Sequence, residues 1–359
     1  MAFLVKKLQL KDFRVFKEAE YTFDPHLTVI HGPNATGKTS IIEALQLTCE
    51  GVSFRRPRHE ELICHGSPFA RAELVACDGD RIREVSMHIE QNAREFIVNG
   101  KQHKNAREIA GVLPVIVFTP DNLRIVKDSA QTRRNEIDDL GCQLSSSFGR
   151  LKTEYNKTLA GRNKLLRDGH YKGDIFDAWT DQLIDLGIAL YGHRRGLLER
   201  LTPHIVAQHK ALDATCTLDI NIASAWAGSN QKTEALKADL IQALAASRDD
   251  ERARRITTVG PHRDDIEFLL DGHSARTFGS QGQQRTIALA WKLGQIEVVR
   301  EVTGAKPLLL LDDVMSELDG SRRQALAERV GDIAQTVITT AHIEYFDANL
   351  LKRATQCFT

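Results

Sequence analysis

Nine consecutive residues, Gly32-Pro33-Asn34-Ala35-Thr36-Gly37-Lys38-Thr39-Ser40, have the types and spacing to do chemistry on a phosphate. They follow the apolar run Leu27 to Ile30 and lead into Ile41, Ile42, Ala44 and Leu45, spaced as on one helix face, which predicts strand, glycine loop, helix. In that setting the glycines let backbone amides curl round phosphate oxygens, and the helix N-terminus adds a positive end. Lys38 would bridge the outer phosphates and Thr39 would ligate magnesium. All nine residues are candidate nucleotide contacts, and ATP with Mg2+ is the expected cofactor pair.

A second group lies 274 residues beyond Lys38, where Leu308 to Leu311 end in Asp312 and Asp313. Two carboxylates after an apolar strand can cap the next helix. Paired with a phosphate loop, they are better read as Asp312 holding the magnesium with Thr39, and Asp313 orienting or deprotonating the attacking water. A third group, Phe278-Gly279-Ser280-Gln281-Gly282-Gln283-Gln284-Arg285, resembles the signature of ABC-type ATPases. Ser280, Gly282 and Gln283 would there face a γ-phosphate from a helix N-terminus. The same letters describe a helix cap with Ser280 at the N-cap and Gln283 at the capping-box position, and both readings can hold at once. Ser316 to Asp319 resembles the D-loop, and His342, after Thr340-Ala341, falls where the switch histidine does; it is the third catalytic candidate beside Lys38 and Asp313.

The elements that must position these groups are predicted as follows. Short apolar strands are expected at 27–30, 115–118, 308–311 and 337–340, the last two central and parallel. Alternating residues from Ala70 to Lys101, with turn signals CDGD and NGK, predict an antiparallel sheet. Phe176, Trp179, Leu183, Leu186, Leu190 and Leu197 recur at helical spacing in a proline-free stretch, which predicts a compact helical lobe, too short for a coiled-coil arm. Strands are expected again at 217–223 and 266–270. The fold class is therefore α/β, an ABC-type P-loop ATPase head with a mixed sheet and an antiparallel β subdomain, plus a helical lobe. The head is assigned to residues 1–125 and 210–359 and the lobe to 126–209.

Composition sets limits. In 359 residues, 48 Lys plus Arg balance 48 Asp plus Glu, so attraction to nucleic acid needs a local patch. One is visible: seven Lys or Arg against two acids between Phe148 and Lys172, with Arg162, Lys164 and Arg167 as candidate DNA contacts. A solvated charged helix face is the competing reading. No apolar stretch approaches the ~20 residues of a membrane span, which excludes a channel or permease. The N-terminal MAFLVKKLQL has no long apolar region and no small-residue cleavage site, so a cytoplasmic location is expected. The six cysteines show no close pairing and are read as reduced thiols.

Taken together with LKDFRVF at 10–16, FTPDNLRIVKDSAQTRR at 118–134, YNKTLAGRNKLL at 155–166, FDAWTDQL at 176–183 and TTVGPHRDD at 257–265, these motifs resemble the RecF family of bacterial ABC-type recombination-repair ATPases from about residue 3 to about residue 347. The resemblance implies a sequence-independent DNA-binding protein of replication and gap repair, linked to the SOS response. It implies two protomers closing on ATP, released by slow, DNA-stimulated hydrolysis, and acting with RecO and RecR proteins to load a recombinase. The loop departs from the family's usual NGQGKTN, reading NATGKTS, and no Q-loop glutamine is found at 118–124. Arg14 is either a phosphate contact or a surface arginine. The alternative is an ABC-type motor ATPase of another complex, transporter-like or SMC-like.

Overall fold

The computed structural model describes residues 3–79, 81–103, 109, 113–329, 333–346 and 348–358. Contacts divide the chain into two units: a head of residues up to Arg124, Ala207–Ala214 and from Gln281 on, and a second unit of Ile125–Val206 and Thr215–Ser280. Of the lobe assigned to 126–209, residues 126–206 make the larger part of the second unit and 207–209 fall in the head, while 215–280, assigned to the head, groups with the lobe.

In the head, β1 (Phe3–Phe13), β2 (Phe16–Thr22), β4 (Ala70–Asp78), β5 (Arg81–Ile89), β6 (Arg94–Val98) and β7 (Lys101–His103) form an antiparallel sheet in the order β2-β1-β4-β5-β6-β7. Strands β3 (Leu27–His31), β8 (Val115–Phe118), β12 (Leu308–Asp312), β13 (Thr336–Thr340) and β14 (Thr355–Phe358) form a second, parallel sheet in the order β14-β3-β13-β12-β8. Parallel strands are buried on both faces, which is why β3, β8, β12 and β13 read as unbroken apolar or threonine runs and the β4–β5 pair reads as alternation. Helix α1 (Lys38–Glu50) contacts strands of both sheets, and all but one of its residues are buried. Its Ile41, Ile42, Leu45 and Leu47 share one core with Leu8, Leu10, Leu74, Met87 and Leu310. The helix bearing Lys38 is thereby packed from two sides. The short α2 (His59–Leu62) precedes β4.

In the second unit, α3 (Ala130–Leu144), α4 (Ser146–Arg167) and α5 (Asp174–Leu212), whose last residues from Ala207 are counted with the head, precede β9 (Leu218–Ala223), α6 (Thr233–Ala246), α7 (Arg248–Arg254), β10 (Asp265–Leu270), β11 (His273–Ser274) and α8 (Ala275–Phe278). Helix α5 runs 39 residues through Pro203, ~58 Å at 1.5 Å per residue. Its Ile184, Ile188 and Tyr191 bury Trp226 and the leucines of α6, which is why 215–280 belongs here: its apolar face is completed by the lobe. Among the family-like stretches, Arg133 pairs with Asp265 (2.7 and 2.9 Å), and Tyr155 lies 2.7 Å from His262 Nδ1. Burial holds that histidine down, at about 4, so it packs as a neutral ring. The head continues with α9 (Gln281–Thr303), α10 (Gly320–Ala327) and α11 (Ala348–Arg353). No helix among the described residues is long and apolar enough to cross a membrane.

Candidate nucleotide site

Strand register brings the sequence motifs together. In the parallel sheet β13 lies between β3 and β12, with Thr340 opposite His31 and Thr339 opposite Asp312. The phosphate loop after β3, the acid pair ending β12 and the histidine turn after β13 therefore leave the carboxyl ends of three adjacent strands, where open α/β sheets bind their ligands.

Gly37 caps α1 in the left-handed region, φ 100°, and a Cβ there would lie 2.5 Å from Phe16 Cζ and 2.6 Å from Val15 Cγ2. Conformation and space both require glycine. Ala35 is also left-handed, φ 68°, at about 1–2 kcal/mol for an L-residue. It is one of the three positions where NATGKTS departs from NGQGKTN, and the alanine takes with local strain a conformation that glycine adopts freely. Lys38 is buried, and its Nζ donates to the carbonyls of Gly32 (2.8 Å) and Pro33 (2.6 Å). Burial lowers its pKa, and the charges of Asp313 and Asp312 work against that shift. Pro33, Asn34 and Ala35 are exposed, Thr36 and Thr39 are half-buried, and Gly32 and Ser40 are buried.

Asp312 is buried and accepts from Thr339 Oγ1 at 2.8 Å, with the Thr39 hydroxyl also close enough to act on it. Burial raises its pKa, and these two hydroxyls oppose the rise. Asp313 adopts φ 51° and its N–H is shared between the carbonyl and the hydroxyl of Thr339, both at 3.1 Å. Its Oδ1 is buried with no hydrogen-bond partner among the described residues. A buried, unsatisfied carboxylate oxygen within electrostatic reach of a lysine suits a site built to accept from water. The Thr39 hydroxyl and the Asp312 carboxylate, close enough to interact, are the hard oxygen donors a magnesium ion takes.

His342 sits on an exposed turn, its N–H donating to Thr340 Oγ1 (3.0 Å) and its Nδ1 2.8 Å from Glu344 Oε1. Ser280 directly precedes α9, whose first turn holds Gly282 and Gln283. Two features are new relative to the sequence reading. Thr339 ties both acids to β13; its only sequence signal is a polar residue closing a buried strand. Arg14 is not a free surface arginine: its Nε and Nη2 donate to the two carboxylate oxygens of buried Glu43 at 2.9 Å each, and Nη1 to the Glu61 carbonyl at 2.6 Å. It braces α1 from the side.

The DNA candidates divide. Arg162 must be corrected. It is buried, forked onto Glu251 (3.1 and 2.7 Å), donating to Thr257 and Thr180 hydroxyls and lying over the Phe176 ring at 4.7 Å. Its charge is spent inside the lobe. Lys164 and Arg167 are exposed on the last turn of α4. Arg167 borders a cleft of about 520 Å³ that also takes in Tyr171, Arg252 and Arg255, with Asp168 and Asp249 on its rim. Arg252 stacks on Tyr171 at 4.3 Å.

A parallel sheet with these loops at its carboxyl edge, carrying an antiparallel subdomain on the same chain, is the head of an ABC-type P-loop ATPase of the SMC kind. The family described as RecF/RecN/SMC N terminal domain matches residues 4–356. The chain is 35% identical over 354 residues to the DNA replication and repair protein RecF of Lachnoclostridium phytofermentans, covering 97% of this chain and 96% of that protein. It is 35% identical over 357 residues to the protein of the same name from Halalkalibacterium halodurans, covering 98% and 96%. The solved structure of the recombination mediator protein RecF-ATPrS in the RecFOR pathway superposes with TM-score 0.90 at 28% identity, covering 96% of this chain and 94% of that one. An Smc head domain from Pyrococcus furiosus shares the fold alone, at TM-score 0.56 and 14% identity. The chain belongs to the RecF family.

Proposed function

We propose that this protein is an ATP-dependent DNA-binding protein of replication and recombinational repair, including gap repair and the SOS response. Two copies enclose two ATP molecules, each held by the Lys38 loop of one protomer and Ser280 of its partner, as a two-fold interface allows. ATP binding closes the dimer and slow, DNA-stimulated hydrolysis opens it. Magnesium, when bound, neutralises charge between the outer phosphates. The chain's own residues do the rest: Lys38 exchanges the Gly32 and Pro33 carbonyls for phosphate oxygens, Thr39 and Asp312 hold the metal's oxygen shell, and Asp313 accepts from water through its unsatisfied oxygen. His342 lies on the adjacent turn. The observation that carries the reading is the pairing of Asp312 and Asp313 with the Lys38 loop across β13. The RecFOR pathway named for the solved relative supports RecO and RecR as partners, and recombinase loading as the outcome.

The DNA contact is assigned to the exposed cations of the second unit, Lys164, Arg167 and Arg255, binding phosphates without reading bases. Replacing all three by glutamine is expected to lower the slope of log affinity against log salt by about 0.9 for each phosphate no longer neutralised, with ATP binding unchanged. Fluorescence anisotropy on duplex DNA from 50 to about 200 mM salt reads it; an unchanged slope would return these residues to an ordinary solvated face.

A further inference from the structure

Two adjacent arginines after the D-loop are used by no part of the scheme above, and both are aimed at its machinery. Arg322 Nε donates to Thr286 Oγ1 (2.8 Å), and that hydroxyl donates to the Gly282 carbonyl (3.1 Å) in the first turn of α9. A Cβ on Gly282 would lie 3.1 Å from Arg322 Nη2, so the guanidinium packs closely against the first turn of α9. At its other end Arg322 Nη1 is bonded to Asp319 Oδ2, while its backbone N–H donates to Asp319 Oδ1 (3.0 Å). That backbone bond above all, with Ser321 and the Arg322 side chain, holds the Asp319 carboxyl down at about 2, so it is ionised. Arg285 adds a parallel link from α9 to Glu317 at 3.3 Å.

Arg323 points to the opposite side. Its Nε donates to the Met315 carbonyl (3.1 Å) and its Nη2 to the Leu318 carbonyl (2.9 Å), and its guanidinium lies 3.8 Å over the ring of Tyr345. Tyr345 stands 5.1 Å from the His342 ring, and its N–H donates to the His342 carbonyl at 3.3 Å. Ser316 Oγ closes the near end on the Asp313 carbonyl at 2.7 Å. The segment from Asp313 to Asp319 is thus gripped on one side by a residue bonded to the signature helix and on the other by a residue stacked on the histidine turn.

We propose that Arg322 and Arg323 are positioning residues that couple the signature helix of one protomer to its own Asp313 and histidine turn, so that engagement of the partner's ATP by Ser280 sets the geometry for hydrolysis in the engaging chain's own site. This rests on the composite-site reading. Each arginine acts by holding a loop. A planar fork is needed at 322, because one end must reach Thr286 while the other reaches Asp319, which an ammonium cannot do.

The test is steady-state ATP hydrolysis by the full chain for Arg322→Gln, Arg323→Gln, the double variant and Arg322→Lys. Each single glutamine variant is expected to lose about tenfold in kcat with KM changed less than about twofold, a coupling of the usual size for such networks. The double variant is expected to lose about tenfold as well, since both arms act through one segment. Arg322→Lys should remain impaired. Losses that multiply to about a hundredfold, full recovery in Arg322→Lys, or single-variant kcat within about twofold of the unaltered protein would overturn the coupling. A kcat loss that appears only in variants whose unfolding midpoint also falls, and disappears at a temperature where they are fully folded, would overturn it in favour of a structural brace. Failure of the unaltered protein to associate with ATP would instead sink the composite site itself.

Discussion

Asp313→Asn is expected to slow ATP hydrolysis by about a hundredfold or more while ATP-dependent association persists and the dimer lives longer. Asparagine tolerates the left-handed backbone nearly as well as aspartate, so φ 51° and the backbone bonds to Thr339 survive. What is lost is a charged acceptor for water, a contribution of roughly 10²–10⁴ when a positioned base is removed. Lys38, Thr39 and Asp312 remain to bind nucleotide and metal. Single-turnover hydrolysis and sedimentation on the same preparation separate the two effects. Turnover within about threefold of the unaltered protein would place the water-activating group elsewhere.

Arg162→Met is expected to destabilise folding by about 3–5 kcal/mol, the usual result of stranding one partner of a buried ion pair. Glu251, about 1% exposed, would be left without the fork that satisfies both its oxygens. Arg162→Met with Glu251→Leu should recover most of the loss, because replacing both partners removes the uncompensated charge. Urea unfolding measures the four corners of this cycle. A loss under about 1 kcal/mol combined with a reduced salt slope for DNA would mean that Arg162 leaves the core to meet phosphate.

That correction shows what a sequence carries and what it does not. The nucleotide site is legible because its demands are local: Gly37 must be left-handed and close to Phe16, and Lys38 and Thr39 must follow it within one helix turn. The strands that position it are legible because burial on both faces leaves apolar runs. Charge counting fails where partners are remote. Of the seven basic residues between Phe148 and Lys172, Arg162 meets Glu251 89 residues on, and Lys152 lies near Asp138 and Asp139. Arg14 likewise reaches Glu43 29 residues on, past β2, β3 and the phosphate loop. The alternating strand 218–223 shows which residues are buried but not against what, so nothing in it says that its core is made with α5 and α6.

The central claim is that each ATP is shared between the Lys38 loop of one chain and Ser280 of another, and sedimentation velocity of Ser280→Arg at saturating ATP tests it most directly. An arginine at the entrance of α9 puts bulk and positive charge where a helix N-terminus should face phosphate. The unaltered protein is expected to sediment as a dimer with ATP and as a monomer without it, and Ser280→Arg to bind ATP with unchanged affinity yet remain a monomer. Ser280→Arg sedimenting as a dimer and hydrolysing ATP at the rate of the unaltered protein would contradict it.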